Sequence, residues 1–305
     1  TFKPIALAAF VEQGYSVKSP FRSPPVTQFP GVYASPGKIW QPKNFDNEDL
    51  GVVTVEQATW KSSNTVYAAL AKQVGPAKVA EMGKRLGIAA PLTPNYSLVL
   101  GTTEVSVLDM ATAYSTFANR GVLRSPYMIK QIEDAQGQVL FDADAGRTAP
   151  QVLPQKVADT VTTVLQGVLT KGTGTGAAIR TLAAGKTGTT QDHKDAWFTG
   201  YTCHLTTSVW MGYRQPQAMD NFKGVKVTGG SFPAKIWHDF MNVATKGQSP
   251  CRYVATNAGT KMLNQALSVG TTLPGASTSS TSSTSSTSTP STTAAPAPTV
   301  PRPVP

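Results

Sequence analysis

The sequence predicts an α+β fold in which helices come first, an antiparallel meander follows and one helix closes the domain. Helix-period apolar patterns recur through the first 170 residues, whereas alternating polar and apolar residues occupy the region from about 181 to 213. Separate runs of helices and strands are typical of α+β rather than α/β architecture. With 305 residues, 40% of them hydrophobic, the chain is long enough to bury a substantial core.

The first helix is predicted at residues 1–11, an apolar stretch that carries Pro4. Proline fits only the first helical turn, where its missing N–H costs nothing, so the helix should begin at or just before Thr1. Residues 19–50 are rich in proline, glycine, asparagine and aromatic residues and predict irregular structure. Two helical segments then flank a hydroxyl- and amide-rich joint at 61–65, and Thr54 stands three residues before Gln57, the spacing of a capping box.

The remaining elements follow from the same periodicities. Further helices are predicted at 76–86, 104–119, 155–169 and 231–245, and the last carries Phe232, Ile236, Phe240 and Val243. A hairpin is predicted at 130–142 and strands at 181–190, 195–201 and 205–213. The end of the chain is almost entirely Ser, Thr, Pro and Ala, so we expect a folded body at 1–270 and a disordered tail at 271–305.

Composition excludes several classes of function. The formal charge of +10 comes from scattered Lys and Arg without a nucleic-acid-binding motif, so we expect no nucleic-acid partner. No apolar run is long enough to cross a bilayer. Cys203 and Cys251 are the only cysteines, and without further ligands nearby in sequence they predict no zinc site. They form either one disulfide, in an oxidising compartment, or two free thiols.

The most informative stretch is Lys186-Thr187-Gly188-Thr189, at the end of the first meander strand. Gly185-Lys186-Thr187 also resembles the end of a phosphate-binding loop. Such a loop needs another glycine five residues before the Gly of its Gly-Lys pair. That position is Arg180, which excludes the phosphate-binding interpretation. The motif therefore predicts a cation and two hydroxyls presented at one strand edge.

Two other polar groups stand far from this motif, Lys3 and the triplet Ser62-x-Asn64. Singly, each of the three motifs has an ordinary explanation. Lys3 could be a solvated helical lysine, Ser62-x-Asn64 a turn or helix cap, and the Lys-Thr-Gly-Thr stretch a strand end. In combination and in this order they resemble the penicillin-recognising serine acyltransferases, which carry Ser-x-x-Lys, Ser-x-Asn and Lys-Thr-Gly. Three further stretches are similar to the bifunctional, class A penicillin-binding proteins: residues 100–105 (LGTTEV), 111–119 (ATAYSTFAN) and 195–201 (DAWFTGY).

The resemblance covers about residues 1–245 and implies a penicillin-binding/β-lactamase-like transpeptidase fold, with an antiparallel sheet flanked by helices and a helical subdomain. It implies an enzyme that cross-links peptidoglycan stem peptides and is acylated by β-lactam antibiotics, with no cofactor or metal. Lys3 takes the lysine position of the first motif, so the nucleophilic serine is expected one residue before Thr1. We accordingly expect the chain to be a piece of a longer extracytoplasmic protein, anchored in the membrane and carrying an upstream glycosyltransferase domain. We expect this piece to lack the first strands of its sheet.

The resemblance also implies a role for each site residue. Lys3 would be the general base, Ser62 a proton relay and Asn64 a hydrogen-bonding partner of Lys3 and the donor peptide. Further residues come from the strand. Lys186 would supply a second positive charge, and the hydroxyls of Thr187 and Thr189 would bind the donor carboxylate. Gly188 would let backbone approach without a Cβ clash, and the Thr189 N–H would contribute to the oxyanion hole. Two alternatives remain open: a D,D-carboxypeptidase or serine β-lactamase-type hydrolase, and a non-catalytic wall-binding module.

Overall fold

The computed structural model describes residues 1–265, and the predicted tail at 271–305 lies outside the described residues. Within this part, seven α-helices form where apolar spacing predicted helices. They are α1 (Lys3–Glu12), α2 (Val55–Trp60), α3 (Asn64–Val74), α4 (Pro76–Arg85), α5 (Val107–Ala118), α6 (Gln155–Lys171) and α7 (Phe232–Ala244). Short 3₁₀ turns lie at Phe45–Asn47, Tyr96–Leu100, Thr175–Ala177 and Gln191–His193.

The strands form small antiparallel sheets. A three-stranded sheet has the order β7-β8-β9, and three two-stranded sheets pair β1 with β4, β2 with β3 and β5 with β6. The strands are β1 (Pro20–Ser23), β2 (Tyr33–Ser35), β3 (Lys38–Ile39), β4 (Gly51–Thr54), β5 (Gln131–Glu133), β6 (Val139–Asp142), β7 (Ala184–Thr189), β8 (Asp195–Tyr201) and β9 (Thr206–Gly212). The predicted hairpin and meander are therefore present, although β7 begins three residues later than predicted.

Local capping explains where several helices begin. Thr54 accepts a hydrogen bond from the Gln57 N–H while the Gln57 side chain accepts one from the Thr54 N–H, which is the predicted capping box. Ser106 and Asp109 form a second one, so α5 begins at Val107 rather than at the predicted 104. Pro4 lies in the first turn of α1, as predicted.

The core is built around α1, whose residues from Lys3 to Val11 are all buried. This helix packs against α3, α4 and α6, and α6 in turn contacts β7. Burial on every side is typical of a central helix, and its nearly uniform apolar sequence predicts this position. Because Lys3 lies at the start of this helix, the fold carries a lysine into the interior.

Two regions differ from the sequence-based expectation. Residues 19–50 were expected to be irregular, yet β1 pairs with β4 in the register Phe21↔Val53, because Phe21 is buried in the core. The last helix packs through Trp237 and Met241, whereas Ile236, Phe240 and Val243 are 49%, 51% and 75% exposed. The helix has two apolar stripes, and the indole of Trp237 selects its stripe by donating to the Thr207 carbonyl at 3.1 Å.

Cys203 and Cys251 form a disulfide with a Cα–Cα distance of 5.5 Å, which decides between the two states that the sequence left open. The bond closes a loop over 48 residues and fixes the start of the segment that follows α7. That segment returns to the beginning of the chain, where Lys261 bridges to Tyr15 and Gln265 to Phe21. In residues 1–265 no helix has the length and apolar character needed to cross a membrane.

Candidate active site

Lys3 is buried, with 8% of its surface exposed, and its ammonium group has three oxygen partners. Its Nζ donates to the Ser62 carbonyl at 2.8 Å, to the Ser62 Oγ at 3.1 Å and to the Asn64 Oδ1 at 2.6 Å. The ring of Tyr67 lies beneath it, with its centroid 5.7 Å from Nζ. Helix α1 and the Ser-x-Asn triplet are thereby joined through one side chain.

Ser62 and Asn64 occupy the joint between α2 and α3, as the sequence predicts. Ser62 has a φ of +59°, a left-handed conformation that is uncommon for residues with a Cβ. Ser63 caps α3 by accepting a hydrogen bond from the Val66 N–H at 3.1 Å. The turn therefore directs Ser62 into the site while Ser63 caps α3. A positive φ at a non-glycine residue such as Ser62 often marks a functional site.

Lys186 brings the second wall of the site to the same hydroxyl. It lies in β7 opposite Thr199 of β8 and is fully buried. Its Nζ donates to the Ser62 Oγ at 2.8 Å and to the Thr187 carbonyl at 3.2 Å. Ser62 Oγ thus lies between two lysine ammonium groups that are far apart in the sequence.

Burial strongly affects the protonation of both lysines. Desolvation lowers the pKa of Lys3 from 10.5 to about 7. Desolvation, and secondarily the charge of Lys3, holds the pKa of Lys186 well below its usual value. A neutral amine is therefore accessible at neutral pH, which the chemistry of a general base requires.

The other three predicted residues continue along β7. Thr187 Oγ1 lies 2.6 Å from the Thr173 Oγ1, and Thr189 Oγ1 accepts a hydrogen bond from the Gly229 N–H at 3.0 Å. A Cβ added at Gly188 would lie 2.6 Å from the Thr1 nitrogen, so only glycine lets the chain before α1 pass this strand so closely. The structure therefore brings all seven predicted site residues to one location.

Asn44 is a supporting residue that the sequence analysis missed. Its Oδ1 accepts from the Asn64 N–H at 2.9 Å and from the Ser63 Oγ at 3.2 Å. Its Nδ2 donates to the Ser23 Oγ at 3.1 Å, and Asn64 Nδ2 donates to the Lys43 carbonyl at 2.7 Å. A single asparagine in a loop-rich region carries no sequence signal for such a role.

Gly229 was also missed. A Cβ there would lie 2.3 Å from the Trp197 carbonyl oxygen and 2.5 Å from that of Gly188, so its segment packs directly on β7. The adjacent pair Gly229-Gly230 is the signal that could have suggested close backbone approach.

One cluster of potential metal ligands occurs within residues 1–265, formed by Cys203, His204 and Cys251, whose ligand atoms lie within 4.8 Å of one another. The sequence left open whether the two cysteines are bonded, and it predicted no zinc site from them. The two sulfurs are bonded to each other, and His204 Nε2 lies 2.9 Å from the Ser249 carbonyl oxygen. The cluster is therefore a disulfide with a neighbouring histidine.

Comparison with known proteins is consistent with this geometry. Residues 1–242 match the penicillin binding protein transpeptidase domain family. Penicillin-binding protein 1A of Neisseria lactamica is 34% identical over 254 residues, which are 81% of this chain and 31% of that protein. The Aquifex aeolicus protein of the same name is 38% identical over 213 residues, 70% of this chain and 28% of that protein. The chain thus spans less than a third of the length of these relatives.

Solved structures resemble the fold as well. The penicillin-binding protein PonA1 from Mycobacterium tuberculosis superposes with a TM-score of 0.75 and 31% identity, over 86% of this chain and 72% of that one. Penicillin-Binding Protein 1A from Haemophilus influenzae gives 0.70 and 25%, over 83% and 42%. These likenesses confirm the predicted α+β transpeptidase fold and the resemblance to class A proteins. The chain therefore belongs to the penicillin-binding protein transpeptidase domain family.

Proposed function

We propose that this chain is the acyl-transfer domain of a D,D-transpeptidase that cross-links peptidoglycan stem peptides through a serine acyl-enzyme. The observation that carries the proposal is the contact of Ser62 Oγ with both Lys3 Nζ and Lys186 Nζ, at 3.1 and 2.8 Å. A hydroxyl between two buried amines can pass protons in either direction. Acyl transfer needs such a relay, because a proton leaves the nucleophile and must reach the leaving amine.

The nucleophile of this proposal is a serine one residue before Thr1. The Thr1 nitrogen lies against Gly188, so the residue attached to it enters the space beside β7. A serine three residues before Lys3 on a helix would lie one turn away on the same face, within reach of its amine. Neutral Lys3 would take the serine proton as the serine oxygen bonds to the carbonyl carbon of the penultimate D-Ala.

The strand wall, the consecutive β7 residues Lys186 to Thr189, would bind the donor peptide. Lys186, Thr187 and Thr189 would hold the terminal carboxylate, and the N–H groups of Thr189 and the serine would stabilise the oxyanion of the tetrahedral intermediate. When a carboxylate binds beside Lys186, it favours the protonated form of that lysine, whose charge in turn keeps Lys3 neutral. Asn64 would orient both Lys3 and the peptide.

Breakdown of the intermediate completes the transfer. The C–N bond to the terminal D-Ala breaks, and its nitrogen takes the proton from Lys3 through Ser62. An amine of a neighbouring strand then attacks the acyl carbonyl carbon, and its proton passes to Lys3. The C–O bond to the serine breaks, and the serine oxygen takes the proton back from Lys3. β-Lactams would acylate the same serine, in keeping with a structure of M. tuberculosis PonA1 that is described as a complex with penicillin V.

The setting proposed for this domain is the outer side of the cytoplasmic membrane, in a protein that also carries a glycosyltransferase domain and a membrane anchor. The support is the family itself, together with relatives named penicillin-binding protein 1A that are more than three times as long as the matched region. The disulfide suits an oxidising compartment.

Labelling with a fluorescent penicillin tests the proposal, using the protein extended upstream of Thr1 through that serine. We expect one covalent label per molecule, and none when the serine is changed to alanine. Absence of label from a folded protein would contradict the proposal. Product analysis of a D-Ala-D-Ala peptide with and without an acceptor amine then separates transfer from hydrolysis.

A further inference from the structure

A second cleft lies beside the start of β7, at the end of the strand opposite Thr189. Its lining comes from residues 180–182, from the C-terminal end of α7 at Asn242 to Lys246, and from the segment that leads to Cys251. Its volume is about 730 Å³, within the range of about 300–1,000 Å³ that is typical of small-molecule sites. All of these residues lie outside the candidate active site. We name this cavity the Arg180 cleft.

The Arg180 cleft carries two positive charges without a counter-charge. Within residues 1–265, the exposed side chains of Arg180 and Lys246 form no ion pair and no hydrogen bond, and no Asp or Glu lines the cleft. Elsewhere in the fold arginines are paired, such as Arg85 with Glu12 at 2.8 Å. Two unbalanced cations beside one cavity create a positive potential. The charge of the cleft therefore favours an anionic ligand.

The end of α7 leaves the Lys246 ammonium group available to such a ligand. The Met241 carbonyl accepts from the Thr245 N–H at 3.0 Å and from the Thr245 Oγ1 at 2.7 Å. The Ala244 carbonyl accepts from the Gln248 Nε2 at 3.3 Å. Lysines near a helix C-terminus commonly bond to such carbonyls, but here other donors do so. These donors also offset the negative end of the helix dipole, which would otherwise repel an anion.

The walls of the Arg180 cleft are linked to one another, so the cavity is formed before a ligand binds. His238 Nδ1 lies 2.7 Å from the Ala178 carbonyl oxygen and must donate to it, because a carbonyl only accepts. The Nε2 of the neutral ring then accepts from the Asn242 Nδ2 at 2.8 Å. The disulfide ties Cys251 to Cys203, in the turn after β8. A site with fixed walls loses less free energy to ordering when it binds.

The neutral groups of the Arg180 cleft suit a sugar. The bond from Asn242 Nδ2 to His238 leaves the Asn242 Oδ1 as a free acceptor within the described part of the chain. The Thr181 hydroxyl and the Gln248 Oε1 are likewise without a hydrogen-bond partner there. Sugar hydroxyls both donate and accept, so they can pair with each of these groups. Leu182, 52% exposed, offers an apolar surface to one face of a sugar ring.

The same lining argues against other anionic ligands. No aromatic residue from the described range 1–265 lines the cleft, whereas nucleic-acid bases commonly stack on aromatic rings. The apolar side chains of Leu182 and Pro250 are too few to line a channel for a lipid acyl chain. A polar cavity with two free cations and several hydrogen-bonding groups matches a polyhydroxylated anion instead.

We propose that the Arg180 cleft is a second ligand site that binds an anionic saccharide, separate from the site of acyl transfer. The acidic group of the sugar, a carboxylate or a phosphate, would pair with Arg180 and Lys246, and the planar guanidinium of Arg180 can donate two parallel hydrogen bonds to either. The sugar hydroxyls would bond to Asn242, Thr181 and Gln248.

An NMR titration of the protein extended upstream of Thr1 tests this with three sugars. N-Acetylmuramic acid carries a carboxylate, N-acetylglucosamine 6-phosphate carries a phosphate and N-acetylglucosamine is neutral. We expect at least one acidic sugar to bind about tenfold more tightly than the neutral one, and the tighter of the two identifies the acidic group. Arg180→Gln and Lys246→Gln should each weaken that binding by about two- to fivefold, the range of an exposed ion pair. In the double variant the acidic and neutral sugars should bind alike.

Arg214→Gln is the matched control, because it removes the same charge from an exposed arginine just after β9, at the other end of the sheet. It should keep the wild-type affinities. Equal binding of acidic and neutral sugars, unchanged affinity in both cleft variants, or an equal loss in Arg214→Gln would refute the site. Binding of a tri-glutamate peptide as tight as that of the acidic sugars would assign the cleft to acidic peptides instead. Both cleft variants should react with penicillin at the wild-type rate, so this test and that of the proposed function fail separately.

Discussion

The two walls of the site are built in different ways. The strand wall consists of four consecutive residues, Lys186 to Thr189, held by the register of β7 on β8. The helical wall is assembled from Lys3 and from Ser62 and Asn64, about sixty positions later. Lys3 donates to both of the other residues, and the Asn44 side chain holds the Asn64 N–H. A contiguous wall depends on sheet geometry, whereas a dispersed wall depends on a buried polar network.

Their lysines differ in the same way. Lys3 has three oxygen acceptors from two residues of another element, and its pKa falls to about 7 because it is buried. Lys186 shares Ser62 Oγ and otherwise bonds within its own strand, to Thr187. We infer that the helical wall handles the proton and the strand wall handles the substrate charge.

Removing the amine of the helical wall should have the largest effect. Lys3→Met keeps the apolar stem but cannot take a proton, so acylation by penicillin should slow by about 10²- to 10⁴-fold, the usual contribution of a general base. Unfolding free energy at pH 7 should not fall correspondingly, because a desolvated amine is itself destabilising. Stopped-flow acylation and urea unfolding measure the two quantities.

The control for this change is Lys61→Met, an exposed lysine beside the same turn. It should acylate at the wild-type rate. Wild-type acylation by the Lys3 variant would instead assign the proton transfer to Lys186.

Displacing the strand wall should have the next largest effect. In Gly229→Ala the new Cβ would meet the backbone oxygens of Trp197 and Gly188, neither of which can move aside as a side chain could. A shift of β7 by about 1 Å can cost about 10² in rate, and overpacking about 1–3 kcal/mol in stability. Acylation kinetics and thermal unfolding check this, with the exposed Val225→Ala of the same loop as a neutral comparison.

The pH dependence should report on the helical wall. Because neutral Lys3 is the proposed base and its pKa is about 7, the acylation rate should rise through pH 7, by about tenfold between pH 6 and 8. A rate that falls over this range would refute Lys3 as the base.

The same depressed pKa affects stability with a definite sign. Between pH 7 and 10.5 the unfolded chain holds a proton on Lys3 that the folded chain lacks, so unfolding free energy should increase with pH in this window. The slope is up to about 1.4 kcal/mol per pH unit for one such group, and Lys186 acts in the same direction. Denaturant titrations at pH 7 and 9 should give a smaller increase for Lys3→Met than for the wild type.

Features built from consecutive residues could be predicted from the sequence, whereas features assembled from distant segments could not. The strand motif, the helices with a regular apolar stripe, such as α6, and the capping box at Thr54 are local patterns and appear where expected. The roles of Asn44 and Gly229 depend on contacts between distant segments, which leave no local periodicity. The exposed stripe of α7 shows the same limit, because two apolar faces on one helix cannot be ranked without the partner that Trp237 meets.

Asn44 provides the smallest and most selective test. Its buried amide accepts from Asn64 and Ser63 and donates to Ser23, so Asn44→Ala leaves several polar groups without partners, at a cost of about 1–3 kcal/mol in stability. Acylation should slow by only a few-fold, since Lys3 still contacts Ser62 directly. The control is Gln41→Ala, which removes an exposed amide in the same loop and should change neither stability nor acylation rate. If the network positions the helical wall specifically, the loss of rate in Asn44→Ala should disappear in a Lys3→Met background while the loss of stability persists. A rate loss that simply adds in the double variant would mean that Asn44 supports the fold as a whole rather than the lysine's partners.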